Sequence, residues 1–173
     1  MIRAYRYPMD RPTSQRPGAT ASVGDTEAVL SQARALWRAE RSGAARPWLK
    51  GRRLALLCDD AESADAQLFR RAATELGAHV SHIRPTLTEG TPAHEVEATG
   101  RLLGRLYDAL ECQCTTPPSV LDQLRAAAGV PVYDGLATAS HPSAALAEQL
   151  DPTIALADRR RVVVEAVLVA SLN

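Results

Sequence analysis

Residues 49–58, LKGRRLALLC, decide the fold. A basic turn around Gly51 leads into the apolar run Leu54, Ala55, Leu56 and Leu57, which is too short for a helix and reads as a buried strand. The next segment, 63–76, has helical spacing and stops at Gly77, a residue suited to helix ends. AHVSHI (78–83) then reads as a second strand. Working outward, the cycle repeats: a helix over 93–105, a strand over 107–112, and a helix opened by Pro118 and closed by Gly129. VPVYDG (130–135) is the fourth strand. Two closing helices are predicted at 142–150 and 154–172. Upstream, Asp25 or Thr26 is expected to cap a helix with apolar positions Val29, Leu30, Ala33, Leu36 and Trp37. Strands alternating with helices predict a single α/β domain, with a four-stranded parallel sheet and helices on both faces, joined by right-handed crossovers. Ligands of such sheets bind beyond the strands' carboxyl ends. Here those ends are 58–60, 82–85, 112–114 and 134–136.

Composition narrows the function. A chain of 173 residues with 46% hydrophobic and only 4% aromatic content builds one core from Ala, Leu and Val. Net charge is zero, so neither nucleic acid nor anionic membrane is the default partner. Residues 1–24 carry Arg3, Arg6, Arg11 and Arg16 against Asp10, with Pro8, Pro12, Pro17 and Gly18. They read as a basic flexible arm, a docking arm for a neighbouring subunit being the alternative. Cys58, Cys112 and Cys114 are odd in number, and there is neither an apolar signal segment nor a membrane-length apolar run. The expectation is a cytoplasmic protein that does not enter a membrane.

Several stretches carry a family resemblance: LKGRRLALL, RRAATELGAHVSHIRP, GRLLGRLYDALEC, AGVPVYDGL and HPSAALAEQL. In this order and spacing they resemble the carbamoyl-phosphate-binding domain of the ornithine carbamoyltransferases, in the aspartate/ornithine carbamoyltransferase family. DTEAVLSQARALWRAERSG resembles that family's first helix and ADRRRVVVEAVLVASLN its last. VPVYDGL followed by HPS looks more like the ornithine branch than the aspartate branch. In the family, an amino-acid-binding second domain stands between the His-Pro helix and the final helix. Here only LDPTIAL fills that interval. The resemblance therefore implies a carbamoyltransferase N-terminal-like domain over 25–173, closed by the family's C-terminal helix, with the second domain deleted.

The resemblance also implies a degenerate site. The family cradles phosphate on a Ser-Thr-Arg-Thr-Arg segment at a helix N-terminus, where backbone N–H groups, the helix dipole and guanidinium groups favour an anion. Glu62, Ser63, Ala64, Asp65 and Ala66 stand there, so both arginine positions are alanine. Asp59 and Asp60 add further negative charge. A family arginine after the third strand corresponds to Gln113. The family's His-Pro-Thr-Gln corresponds to His141, Pro142, Ser143 and Ala144; the histidine that contacts the carbamoyl oxygen remains, as a vestigial catalytic candidate, and the glutamine that holds the carbamoyl nitrogen is gone. Arg70 and Arg71, further along the helix, are not placed to restore the charge. Losing about three charged hydrogen bonds, each worth roughly 1.5–3 kcal/mol, removes useful affinity for carbamoyl phosphate. Asp60, Glu62 or Asp65 is expected to take the phosphate's place at the helix end.

The resulting reading is a carbamoyltransferase-like protein, non-catalytic and acting by oligomerisation or partner interaction. A homotrimer is the first expectation, and a full-length carbamoyltransferase a further partner. The loop that the family lends to a neighbouring active site corresponds to 86–93, where the sequence is dissimilar. The alternative is a transferase subunit whose amino-acid-binding half comes from another chain, or a binder of a different small ligand. No cofactor and no metal are expected: Cys58, Cys112 and Cys114, with His82, His141 and Asp59 nearby, match no paired zinc pattern and read as small apolar residues. His79, His82 and His94 read as strand or surface histidines, and Arg159, Arg160 and Arg161 as a solvated helix face. Val162, Val163, Ala166, Val167 and Ala170 are the stripe expected to cover the sheet.

Overall fold

A computed structural model describes residues 23–84, 86–114 and 116–173, with side chains from Thr26 onward. The elements run α1 (Val23–Arg41), β1 (Arg53–Leu57), α2 (Ala64–Glu75), β2 (His79–Ile83), α3 (Ala93–Leu106), β3 (Ala109–Cys112), α4 (Pro118–Ala128), β4 (Val132–Asp134), a 3₁₀ helix (Pro142–Gln149) and α5 (Leu156–Leu172). The four strands are all parallel, in the order β2-β1-β3-β4. The predicted fold class is the observed one.

Alternation along β1 divides the core. Leu54 and Leu56 face a layer made by α1, α2, the 3₁₀ helix and α5. Ala55 and Leu57 face α3 and α4, through Val96, Leu103, Val120, Leu121 and Leu124. The chain leaves β1 on one side for β2 and returns on the other for β3. The crevice between the carboxyl ends of β1 and β3 is thus the topological switch point, where open α/β sheets place their ligands.

Several local expectations need correction. α1 already includes Val23, so neither Asp25 nor Thr26 is its cap. The arm reading falls on residues 1–22, outside the described residues, apart from Val23 and Gly24, which open the helix. The segment after His141 is 3₁₀, with Ala144 N–H donating to the His141 carbonyl at 2.9 Å. Only Ser143 and Ala147 are buried on it, too little apolar surface to hold a full α-helical turn in register. The strand predicted from 107 begins at Ala109, because the Asp108 carboxylate is turned back to accept from Arg53 N–H at 2.8 Å and Arg52 at 2.9 Å.

The last helix differs most from its reading. α5 is buried almost all round, by contact with α1, α2 and the 3₁₀ helix. Val162, Val163 and Ala166 are in the core as expected, but Val164, Leu168 and Val169 are too, whereas Ala170 is exposed. Arg161 is only 2% exposed and bonds Glu40 at 2.7 Å, Glu75 at 2.5 Å and Glu165 at 2.6 Å. The arginine run is therefore not a solvated face: one guanidinium ties three helices together, which a buried cation needs to offset its lost hydration.

Candidate functional site

The carboxyl end of β1 turns through Cys58–Asp60 into the first turn of α2. Ser63 is the N-cap, its hydroxyl accepting from Ala66 N–H at 3.2 Å. The Asp60 carboxylate accepts from Glu62 N–H at 2.9 Å. Glu62 is held by Gln67, whose Nε2 donates to its carbonyl at 3.1 Å and its carboxylate at 3.3 Å. The turn thus takes two N–H groups, of Glu62 and Ala66, with its own side-chain oxygens, while the Ala64 and Asp65 N–H groups of α2's first turn meet no acceptor among the described residues. None of the three acids expected there bonds a first-turn N–H of α2 among the described residues: Asp60 accepts from Glu62 N–H, ahead of the helix, and Glu62 and Asp65 are engaged with Gln67 and Arg160. Ala64 is exposed and Ala66 buried, and neither carries a polar group.

Arg70 donates to the Ala61 carbonyl at 3.3 Å, so it supports the turn from behind. Arg71 pairs with Glu75 at 2.8 Å, away from the turn. Neither replaces the missing guanidinium groups.

Gln113, at the end of β3, reaches across the switch point. Its Nε2 donates to the Asp65 carbonyl at 3.2 Å and to Glu111 at 3.0 Å. Glu111 is a residue the sequence reading passed over as part of a strand. It is fully buried and accepts from Leu136 N–H at 3.1 Å and Ala137 N–H at 3.3 Å, fixing the turn after β4. Burial raises its pKa to about 7, against the lowering effect of those hydrogen bonds. The available signal was a lone charge in the run ALEC: such a residue is buried only when it is satisfied.

Arg160 was also read differently. It leaves α5 to donate to the Ala137 carbonyl at 2.6 Å and lies 3.4 Å from the Asp65 carboxylate. Arg160, Asp65, Gln113, Glu111 and the 136–137 backbone form one connected polar network. It occupies the layer behind α2's first turn. The gap left between Leu136–Thr138, Ser143, Ala144 and Arg160 is about 10 Å³, room for no more than one water molecule.

His141 is at the start of the 3₁₀ helix. Its Nδ1 accepts from Ser143 N–H at 3.2 Å and lies 2.7 Å from the Ser143 hydroxyl. That arrangement places the ring proton on Nε2, free to donate. Burial lowers the His141 pKa, with the Asp134 carboxylate acting the other way. Pro142 is exposed, Ser143 is buried, and Ala144 offers only a methyl group where an amide would be needed to grip a second polar atom.

The cysteines fall where strand ends put them. Cys58 and Cys112 are buried, and burial raises both thiol pKa values, so neither is a ready thiolate. Cys114 contacts the Thr116 hydroxyl at 2.8 Å, and His82 contacts the Cys58 carbonyl at 2.8 Å. Among the described residues no group of three or more His, Cys, Asp or Glu side chains could hold a metal ion. A cavity of about 520 Å³ opens at the opposite edge of the sheet, between Arg53, Arg105, Asp108 and Leu172. α3, α4 and α5 end there, and Arg52, Arg53 and Arg105 line it with Asp108.

Residues 19–151 match the family described as aspartate/ornithine carbamoyltransferase, carbamoyl-P binding domain. The ornithine carbamoyltransferase of Actinobacillus pleuropneumoniae serotype 5b is 37% identical over 122 residues, which are 70% of this chain and 36% of that protein. The Cutibacterium acnes enzyme is 33% identical over 129 residues, 75% of this chain and 38% of its own length. The ornithine carbamoyltransferase structure from Pyrococcus furiosus superposes with a TM-score of 0.62 and 26% identity, covering 73% of this chain and 40% of that one. The chain thus spans well under half the length of these relatives. No helix among the described residues is long and apolar enough to cross a membrane.

Proposed function

This chain belongs to the aspartate/ornithine carbamoyltransferase family, through its carbamoyl-phosphate-binding domain, and we propose that in it this domain no longer binds carbamoyl phosphate and acts by association rather than catalysis. The observation that carries the proposal is the state of the α2 N-terminus. Ser63 takes only one of its first-turn donors, Ala66 N–H, and Asp60 takes the Glu62 N–H just ahead of the helix; but Ala64 and Ala66 supply no charge, and Gln113 is committed to Asp65 and Glu111. The two guanidinium groups that reach the turn and α2's start are taken: Arg70 by the Ala61 carbonyl, and Arg160 by the Ala137 carbonyl and Asp65. A doubly charged ligand would meet Asp59, Asp60 and Glu62, all uncompensated by a facing arginine, in the place where its relatives' resemblance calls for arginines.

α5 packs directly on α1 and α2 after the short connection 150–155. This supports a domain closed by the family's final helix with the amino-acid-binding domain left out between them. The partners we propose are further copies of the chain, as a homotrimer, or a full-length carbamoyltransferase with which it mixes. Three unpaired cysteines suit a cytoplasmic setting.

One observation favours a second reading. His141 keeps a free Nε2–H at the mouth of the switch point, as a donor to a carbonyl or carbamoyl oxygen. A transferase completed by a separate chain, or a binder of an uncharged or cationic ligand, would use it. Thermal shift separates the readings: carbamoyl phosphate, ornithine and small amines at millimolar concentration leave the midpoint unchanged under the first, while a rise with carbamoyl phosphate discards it. Co-purification of the intact enzyme from the source cell supports mixed assembly; repeated absence of any complex removes that part.

A further inference from the structure

The outward face of α3 carries a pattern that the fold does not use. Val96, Gly100 and Leu103 are buried on the helix's inner side. A Cβ on Gly104 would lie 1.8 Å from the Ala128 carbonyl oxygen, so α3 presses closely on α4 there. On the opposite side, at helical spacing, stand His94, Glu95, Ala98, Leu102, Arg105 and Leu106, all exposed. Leu102 keeps 57% of its surface and Leu106 43%, an apolar ridge one turn long. Glu95 and Arg105 have no side-chain partner among the described residues. Arg101, off the centre of the stripe, is taken by Glu97 at 3.3 Å.

This stripe reads the same from both ends. Laid antiparallel on a second copy, with a two-fold axis level with Gly100, Glu95 meets Arg105, Ala98 meets Leu102, and His94 meets Leu106, each contact occurring twice. Opposite charges equidistant from one level, with a small residue facing a large one, are what an isologous contact requires. We infer that the outer face of α3 is a self-association surface, and that its occupant is a second copy of this chain in an antiparallel helix pair.

The size of the patch sets the strength. A helix of 14 residues is about 21 Å long. A single helix pair of this length covers less than the roughly 800 Å² per partner of a stable complex, so the contact is weak. It saturates in the high-micromolar range and is loosened by salt, because its specificity comes from two exposed ion pairs. The inference adds a two-fold contact to the association proposed above, distinct from the heterologous surface a homotrimer needs, and rests on that reading for its purpose only.

Sedimentation of the full chain over a concentration series tests it. The parent protein is expected to double its mass as concentration rises. Glu95→Arg and Arg105→Glu each set like charges against one another twice, and each should weaken the doubling by about tenfold or more. An equimolar mixture of the two variants should recover it, because each variant then faces its opposite. Leu102→Asp should remove it, with circular dichroism confirming that every variant is folded. Variants that doubled like the parent, or a mixture that did not recover, would overturn the α3 contact. Neither result bears on the pocket, which carbamoyl phosphate titration decides separately.

Discussion

Arg161 on α5 lies 2.6 Å from Glu165 one turn further on, and the two side chains are 2% and 5% exposed. Glu40 of α1 and Glu75 of α2 complete the guanidinium's partners. α5 therefore docks on its two neighbouring helices by ion pairing as well as by apolar packing. The arrangement explains how a helix with charged residues in its first turns can be buried nearly all round.

Arg161→Ala should cost about 3–5 kcal/mol, since it leaves Glu165 buried and unpaired. The paired change Arg161→Met with Glu165→Leu should recover most of that loss, because it removes both charges and keeps the volume. Urea denaturation of the two variants checks this. A single variant within about 1 kcal/mol of the parent would show that the ion cluster does not hold α5 in place.

Glu111 makes stability depend on pH. Its folded pKa, raised to about 7 by burial, exceeds the ordinary value of 4.5. The folded state then binds the proton more tightly, so the contribution is fully present below about pH 4.5 and is lost as pH rises through about 7. Stability should therefore fall between about pH 5 and pH 8, by a few kcal/mol. Glu111→Gln should flatten part of this slope, read as the difference in urea midpoint at the two ends. An unchanged slope in the variant would place the titration elsewhere.

The N-cap of α2 is the simplest local test. Ser63→Ala removes the acceptor of Ala66 N–H and should cost about 1 kcal/mol. Ser63→Asp should keep the cap and cost little. If Ser63→Ala were neutral, the turn would not be closed by its own side chain as described.

Gly104 tests the α3–α4 contact. Its missing Cβ is what lets the Ala128 backbone approach. Gly104→Ala forces the helices apart and should cost about 1–3 kcal/mol despite alanine's better helix propensity. A stabilised variant would mean that the helices part freely.

Much of this was legible in the sequence. Leu54–Leu57, Gly77 and Gly129 announced strand and helix ends, since chain length, periodicity and left-handed backbone are local properties; Gly77 and Gly129 do adopt positive φ of 87° and 67°. The loss of charge at Ala64, Ala66 and Gln113 was readable because side-chain chemistry is written directly in the residue type. Arg161 and Glu111 were not. The lone charge in ALEC marks Glu111 as a residue needing partners, but those partners lie far away in sequence, Glu40 and Glu75 for Arg161 and the 136–137 turn for Glu111, and no local pattern names them. The 3₁₀ form of Pro142–Gln149 was hidden for a related reason: its composition suits an α-helix, and tertiary packing decides otherwise.

The central claim concerns the α2 N-terminus, and calorimetric titration of the purified chain with carbamoyl phosphate tests it most directly. The account predicts no binding heat up to about 10 mM ligand. The rebuilt variant Ala64→Arg, Ala66→Arg, Gln113→Arg, Ala144→Gln, titrated alongside, should gain measurable affinity if folded. A saturable isotherm from the unmodified chain, with Kd below about 1 mM, would contradict the account.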